Sequence, residues 1–307
     1  MRDSLDHLPE NKQRELEHVV QVLFEEFDAA TRMGTKPFKK QARILKIMLY
    51  GSYARGDWVD DPVGGYKSDY DILVVVNDDR LTDFEYWSAA EDRLMRDATI
   101  THQLSAPASF IVHTLSDLNG QLYKGRPFFT DLVDQGIVLY EAEGFPLSKP
   151  GKLQMGERLS EARGHFEEWF PSAAGFARNA GYAVRDADFK LAAFLFHQSS
   201  ERFYHCVLLA LTLYSPKSHK LNFLRGQAED MTPLLIEAWP RADRFSRRCF
   251  ELLRQAYVNA RYSPEYAISG EELAWIGERV AILQDLVRQA CEQRLVELEA
   301  ALPKAAE

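Results

Sequence analysis

Ile72-Leu73-Val74-Val75-Val76 is an unbroken aliphatic run, entered through Ser68-Asp69-Tyr70-Asp71. A strand that is apolar on both faces must be covered on both, so Tyr70–Val76 is predicted at the centre of a sheet. A second strand, Ile44–Tyr50, ends at Gly51-Ser52. The order is therefore strand, glycine-serine turn, loop, paired aspartates, strand. Residues i and i+2 of a strand share a face, so Asp69 and Asp71 project together while Tyr70 points away. Two neighbouring carboxylates repel each other unless a cation or hydrogen-bond donors stand between them. Hard divalent cations take such oxygens and complete their shells with substrate phosphates. Gly51 lets the backbone approach a phosphate closely, the Ser52 hydroxyl adds a donor, and Arg55 offers a cation for the remaining charge. The pattern predicts a metal–nucleotide site with Asp69 and Asp71 as ligands and Gly51, Ser52 and Arg55 around the phosphates.

Leu16, Val19, Val20, Leu23 and Phe27 recur at helical spacing, which predicts an amphipathic helix over 10–30. Residues 82–97 are predicted as one helix. Strands follow at Phe110–Thr114 and Gly136–Tyr140, separated by helical stretches around 116–123 and 131–134. Gly144, Pro146, Pro150 and Gly151 gather around Phe145–Gly151, the best candidate for a linker. Beyond it strand signals vanish. Helices are predicted at about 156–170, 186–214, 231–258 and 271–300, with Pro216, Pro240 and Pro264 at turns. In the last, Ile276, Val280, Leu283, Val287, Cys291 and Leu295 line one side. The fold class is α+β: a mixed-sheet domain over 1–148, then an all-α bundle over 149–307.

With 46% hydrophobic and 12% aromatic residues, the 307-residue chain has enough apolar surface for two cores. Its formal net charge of −9 argues against broad attraction to nucleic acid, which needs a basic footprint. A small triphosphate remains compatible, because the field at a site can differ from the global sum. Cys206, Cys249 and Cys291 lie far apart in apolar helical contexts and read as buried free thiols. No secretory signal is visible and the longest apolar run is too short to span a bilayer, so the expected place of action is the cytoplasm, with no membrane partner.

Gly51-Ser52, Ala54-Arg55-Gly56 and Ser68-Asp69-Tyr70-Asp71-Ile72-Leu73-Val74, with an apolar strand on each side, closely resemble the signature of the nucleotidyltransferases related to DNA polymerase beta, particularly the minimal bacterial type. The resemblance implies a nucleoside triphosphate substrate, Mg²⁺ (or Mn²⁺) held by the aspartates, and transfer of a nucleoside monophosphate to a hydroxyl acceptor with loss of pyrophosphate. Members of the family generally supply a third carboxylate from a later strand. The matching strand here, Ala108–His113, has none; Ser109 stands about where the acid belongs. The loop from Asp57 to Lys67 is also longer than in minimal members, and carries Asp60, Asp61 and Gly64-Gly65.

Ala192–Tyr204, Ser218-His219-Lys220-Leu221 and Ala256–Tyr262 look like a HEPN domain (higher eukaryotic and prokaryotic nucleotide-binding), over about 157–290. Minimal nucleotidyltransferases often occur beside or fused to such domains, and the resemblance implies a homodimer through the helical half. Many HEPN ribonucleases use an arginine followed four to six residues later by histidine. No histidine follows Arg261, and Pro264 interrupts the helix, so this domain reads as non-nucleolytic. His197, Glu201 and His205 share a helix face at i, i+4 and i+8. Amid Phe194, Leu195, Phe203 and Leu208 the stripe reads as a half-buried, hydrogen-bonded face rather than a metal site. By analogy with kanamycin-type nucleotidyltransferases, whose helical domain supplies a base, Glu157, Glu161, Glu167 or Glu201 would replace the missing strand acid. Lys67, His219 and Lys220 read as solvated and His113 as structural. The leading function is nucleotidyl transfer to a small-molecule or protein hydroxyl in preference to bulk nucleic acid. The alternative is a nucleotide-binding sensor that keeps the cradle without transfer.

Overall fold

The computed structural model describes residues 4–32, 34, 36–61 and 66–302. Apart from residues 61–66, which group with the second, two compact units divide between Lys152 and Leu153. The first opens with α1 (Glu10–Arg32), followed by β1 (Ile44–Tyr50), α2 (Gly51–Arg55), β2 (Tyr70–Val76), α3 (Ser88–Thr99), β3 (Ala108–Thr114), α4 (Leu115–Tyr123), α5 (Pro127–Gln135) and β4 (Ile137–Glu141). The four strands lie in the order β3-β2-β1-β4. β1 runs antiparallel to β2 and β4, and β2 runs parallel to β3, giving a mixed sheet. β2, expected at the centre, is an inner strand and so is β1, and both are buried along their whole length.

Alternation sorts the sheet's side chains onto two faces. Tyr70, Ile72, Val74 and Val76 pack with Ile47 and Leu49 against Leu16, Val19, Leu23 and Phe27 of α1. Each fully buried aliphatic side chain of this kind contributes about 2 kcal/mol. The opposite face carries Tyr50 and His113, covered edge-on by Phe128 and Phe129 of α5 at centroid distances of 5.6 and 5.3 Å. The segment predicted as one helix over 82–97 is instead two short 3₁₀ turns, Asp79–Thr82 and Phe84–Tyr86, ahead of α3. Trp87 explains the break. Its indole donates to the Leu81 carbonyl at 2.7 Å and its ring stacks on Phe27 at 4.8 Å, which pins the turn before a helix can start. The predicted linker is docked on α4: the Ser148 N–H donates to Asn119 Oδ1 at 2.7 Å and the Gly151 N–H to the Leu122 carbonyl at 2.8 Å.

The second unit is helical: α6 (Met155–Arg185), α7 (Phe189–Thr212), α8 (Leu221–Met231), α9 (Arg244–Tyr262) and α10 (Gly270–Ala300). Two expectations change. The helix predicted to stop near 170 runs through Pro171. Phe166, Trp169 and Phe170 before the proline, and Ala173, Ala174 and Ala180 after it, enter one core, and that shared burial offsets a local cost of about 3 kcal/mol. The helix predicted over 231–258 is continuous only from Arg244, and α8 lies where no helix was predicted. α8 ends at Met231, a 3₁₀ segment spans Pro233–Ala238, and α9 starts after Asp243, whose carboxylate accepts from the Ser246 N–H at 2.8 Å. α10 begins in a reciprocal capping box between Ser269 and Glu272. Of its predicted stripe, Ile276, Val280, Leu283, Val287 and Cys291 are buried and Leu295 is half-buried.

Candidate functional site

β1 delivers its chain directly into α2, and the first residue of that turn is Gly51. Its φ of +70° lies in the left-handed region, and a Cβ there would collide with the Asp71 carboxylate. Glycine is thus required twice, by backbone conformation and by close approach. The sheet register explains the proximity. Tyr50 pairs with Asp71 across β1–β2, and Asp71 pairs with Ser109 across β2–β3. Paired residues project to one face, so Tyr50, Asp71 and Ser109 lie side by side there. Asp71 is buried, at 4% exposure. Asp69 is half-buried just before the strand, and the Ser109 hydroxyl lies 3.4 Å from its Oδ2. Tyr70 between them turns to the α1 face, as the alternation predicts. The strand position where a third acid was expected holds a hydroxyl in register with Asp71 and 3.4 Å from Asp69.

Ser52 is buried, and its carbonyl accepts the Gly56 N–H at 2.8 Å, closing α2 onto a left-handed Gly56. Arg55 occupies the last turn of α2, with its Nε 3.2 Å from Asp57 Oδ2. Lys67 is not simply solvated. Its ammonium lies 3.5 Å from Asp60 Oδ1 and 3.3 Å from the Ser105 carbonyl. Gly64-Gly65 lies outside the described residues.

In the helical unit Glu201 is buried and engaged. Its Oε1 is 3.0 Å from His219 Nδ1 and its Oε2 accepts from Gln198 Nε2 at 3.3 Å. His219, expected to be free in solvent, keeps an exposed ring but stacks on Tyr257 at 5.0 Å. Nothing in the local sequence signals this pairing, because Glu201 lies on α7 and His219 in the loop before α8. His197 lies 3.7 Å from Glu201, too far for a hydrogen bond, and burial wins: with His219 and Arg261 adding repulsion, its pKa falls to about 3. Burial likewise pulls His205 down to about 4, while its ring meets the Ser215 hydroxyl at 2.6 Å and the Ser218 carbonyl at 3.2 Å. The stripe is the buried, hydrogen-bonded face that its apolar neighbours predicted. Glu157, Glu161 and Glu167 all lie on α6. The Arg261 guanidinium sits over the rings of Phe194, Tyr257 and Tyr262.

Among the described residues no group of three or more histidine, cysteine, aspartate or glutamate side chains gathers to hold a metal ion, and no helix is long and apolar enough to cross a membrane. No curated protein matches the sequence. Residues 35–124, which run from before β1 through α4 and include both aspartates, match the family Polymerase beta, Nucleotidyltransferase. Residues 166–288 match the HEPN domain family. With the glycine turn and aspartate pair in the mixed sheet and a helical unit behind them in sequence, the chain is a fusion of a polymerase beta-type nucleotidyltransferase domain with a HEPN domain.

Proposed function

We propose that the domain over 1–148 transfers a nucleoside monophosphate from a nucleoside triphosphate to a hydroxyl acceptor, with pyrophosphate as the other product. The observation that carries this reading is the packing of the Asp71 carboxylate against Gly51, in a turn where a side chain would be strained and would collide with that carboxylate. Asp69 and Asp71 would hold Mg²⁺ or Mn²⁺. Two carboxylates with no histidine or thiolate among them form a hard oxygen set, which fits an ion that takes its remaining ligands from substrate phosphates. When bound, such an ion neutralises phosphate charge and activates the acceptor hydroxyl. Gly51 and Ser52 seat the triphosphate and Arg55 adds positive charge at its edge. The acceptor oxygen attacks the α-phosphorus in line, the bond from α-phosphorus to the bridging oxygen breaks, and the acceptor's proton is released. The acceptor is a small molecule or a protein hydroxyl, consistent with the formal charge of −9, and the cytoplasm is the compartment that supplies the triphosphate.

A second reading has its own observation. Ser109, in register with Asp71, offers a hydroxyl where relatives place an acid. On this reading the domain binds nucleotide as a sensor without transferring it. Incubation with each α-³²P-labelled nucleoside triphosphate and Mg²⁺ or Mn²⁺, with and without cell extract as acceptor, separates the two. Transfer is expected to move label onto an extract component and to be lost in Asp69→Asn and Asp71→Asn. Full turnover in either variant would overturn the ligand assignment. Metal-dependent nucleotide binding without label transfer would favour the sensor.

A further inference from the structure

Behind the aspartates, on the α1 face of the sheet, the buried Lys12, Tyr53 and Tyr70 join the half-buried Glu15 and the exposed Ser105 in one hydrogen-bonded polar cluster. Lys12 is buried in α1, and its ammonium donates to the Ser105 hydroxyl at 2.6 Å and to the Tyr53 hydroxyl at 3.2 Å. One helical turn on, Glu15 accepts from the Tyr70 hydroxyl at 2.8 Å, the Ser105 N–H at 2.9 Å and the Ser105 hydroxyl at 2.8 Å. The rings of Tyr53 and Tyr70 lie against each other at 4.3 Å, and the Lys12 ammonium stands over both, at 5.4 and 5.5 Å from their centroids. His7 also reaches the turn, with its Nε2 2.8 Å from the Tyr53 carbonyl.

The cluster's members come from the segments that build the site. Tyr53 is the centre of α2, two residues after Gly51. Tyr70 stands between Asp69 and Asp71. Ser105 leads into β3, four residues before Ser109. A one-residue slip of β2 would turn Tyr70 outward and both carboxylates inward, and the Tyr70–Glu15 bond holds the strand against that slip. We propose that Lys12 and Glu15 of α1 are positioning residues for the nucleotidyl-transfer site: through Tyr53, Tyr70 and Ser105 they lock the glycine turn, the aspartate strand and the Ser109 strand into one register. The proposal rests on the metal–nucleotide reading of Asp69 and Asp71 and extends it to residues that touch neither metal nor substrate. A polar network is suited to this task because its hydrogen bonds are directional, whereas apolar contacts tolerate sliding.

Two variants test the lock with little change in shape: Tyr70→Phe, which removes one hydroxyl, and Lys12→Met, which removes the ammonium but keeps an unbranched apolar stem. Hydrogen exchange by mass spectrometry on the full chain, without nucleotide, reads the register directly. Exchange is expected to rise about tenfold in both peptides covering 51–56 and 68–72, the loss of a hydrogen bond to a charged partner, while peptides from α7 and α10 are unchanged. In transfer assays kcat is expected to fall by about 100-fold, the effect of a misplacement on the order of 1 Å, with a much smaller change in KM for the triphosphate. Unaltered exchange at both segments overturns the proposal. So does a uniform rise across the whole sheet domain, which is the signature of a merely stabilising network. If the wild-type chain neither binds nor transfers nucleotide, the functional reading fails, and the exchange experiment still decides whether the lock exists.

Discussion

Gly51 is the residue on which the sequence and the site agree most closely, and the reason is steric. An alanine there must adopt a φ of +70° and push its methyl into the Asp71 carboxylate. Gly51→Ala is expected to cost about 2 kcal/mol or more, from backbone strain and overpacking together, and to weaken metal-dependent nucleotide binding by displacing Asp71. Urea denaturation and a binding titration check the two effects, and a denaturation midpoint equal to wild type would contradict the collision. Much of the aspartate arrangement was legible beforehand, because the two-residue period of a strand alone puts Asp69 and Asp71 on one side and Tyr70 on the other. The commitments of Glu201 and Tyr70 were not. Both bond to partners outside their own elements, His219 and Glu15, and no periodicity within one element encodes such a hydrogen bond.

At the scale of elements, legibility followed the balance between local pattern and tertiary burial. β2 falls at the centre of the sheet, where its two-sided apolar run placed it, β1 spans the predicted Ile44–Tyr50, and α10 follows its stripe. α6 runs through Pro171 because flanking aromatic and alanine side chains share a core that sequence inspection cannot see closing. The region 221–262 breaks into pieces where Pro233 and the Asp243 cap intervene, signals that a periodicity count passes over. A buried ion cluster then joins those pieces. Glu229 of α8 accepts from Arg225 Nε at 2.7 Å and from Arg241 at 2.5 Å, while Arg225 also donates to the Trp239 carbonyl at 2.8 Å. Removing the carboxylate leaves the buried Arg225 without its counter-charge. Glu229→Ala is expected to destabilise the helical unit by about 3–5 kcal/mol, read as a lowered urea midpoint. A loss under about 1 kcal/mol would mean that the cluster is not holding α8 to the following segment.

For the molecule as a whole, acid sensitivity should arise in the helical half. His197 and His205 titrate at about 3 and about 4 in the folded chain, well below the ordinary histidine value. The unfolded chain takes up those protons near pH 6.5 and the folded chain refuses them, so stability is full above about 6.5 and drains away as pH falls towards 4. Shedding the net charge of −9 on acidification relieves repulsion and works in the opposite direction. Thermal melts at pH 7.5 and 5 separate the two effects. Melting temperature is expected to drop in the wild type and to drop less in a His197→Gln, His205→Gln variant; equal drops would remove the histidines from the account. The three thiols lead elsewhere. Cys206, Cys249 and Cys291 are all buried, and burial raises the Cys249 thiol to about 11. A maleimide dye should therefore find the native chain nearly silent. Asp57→Cys, at an exposed position just past the glycine turn, would give a single bright handle, and the movements of that turn could be followed by fluorescence without first stripping any native cysteine.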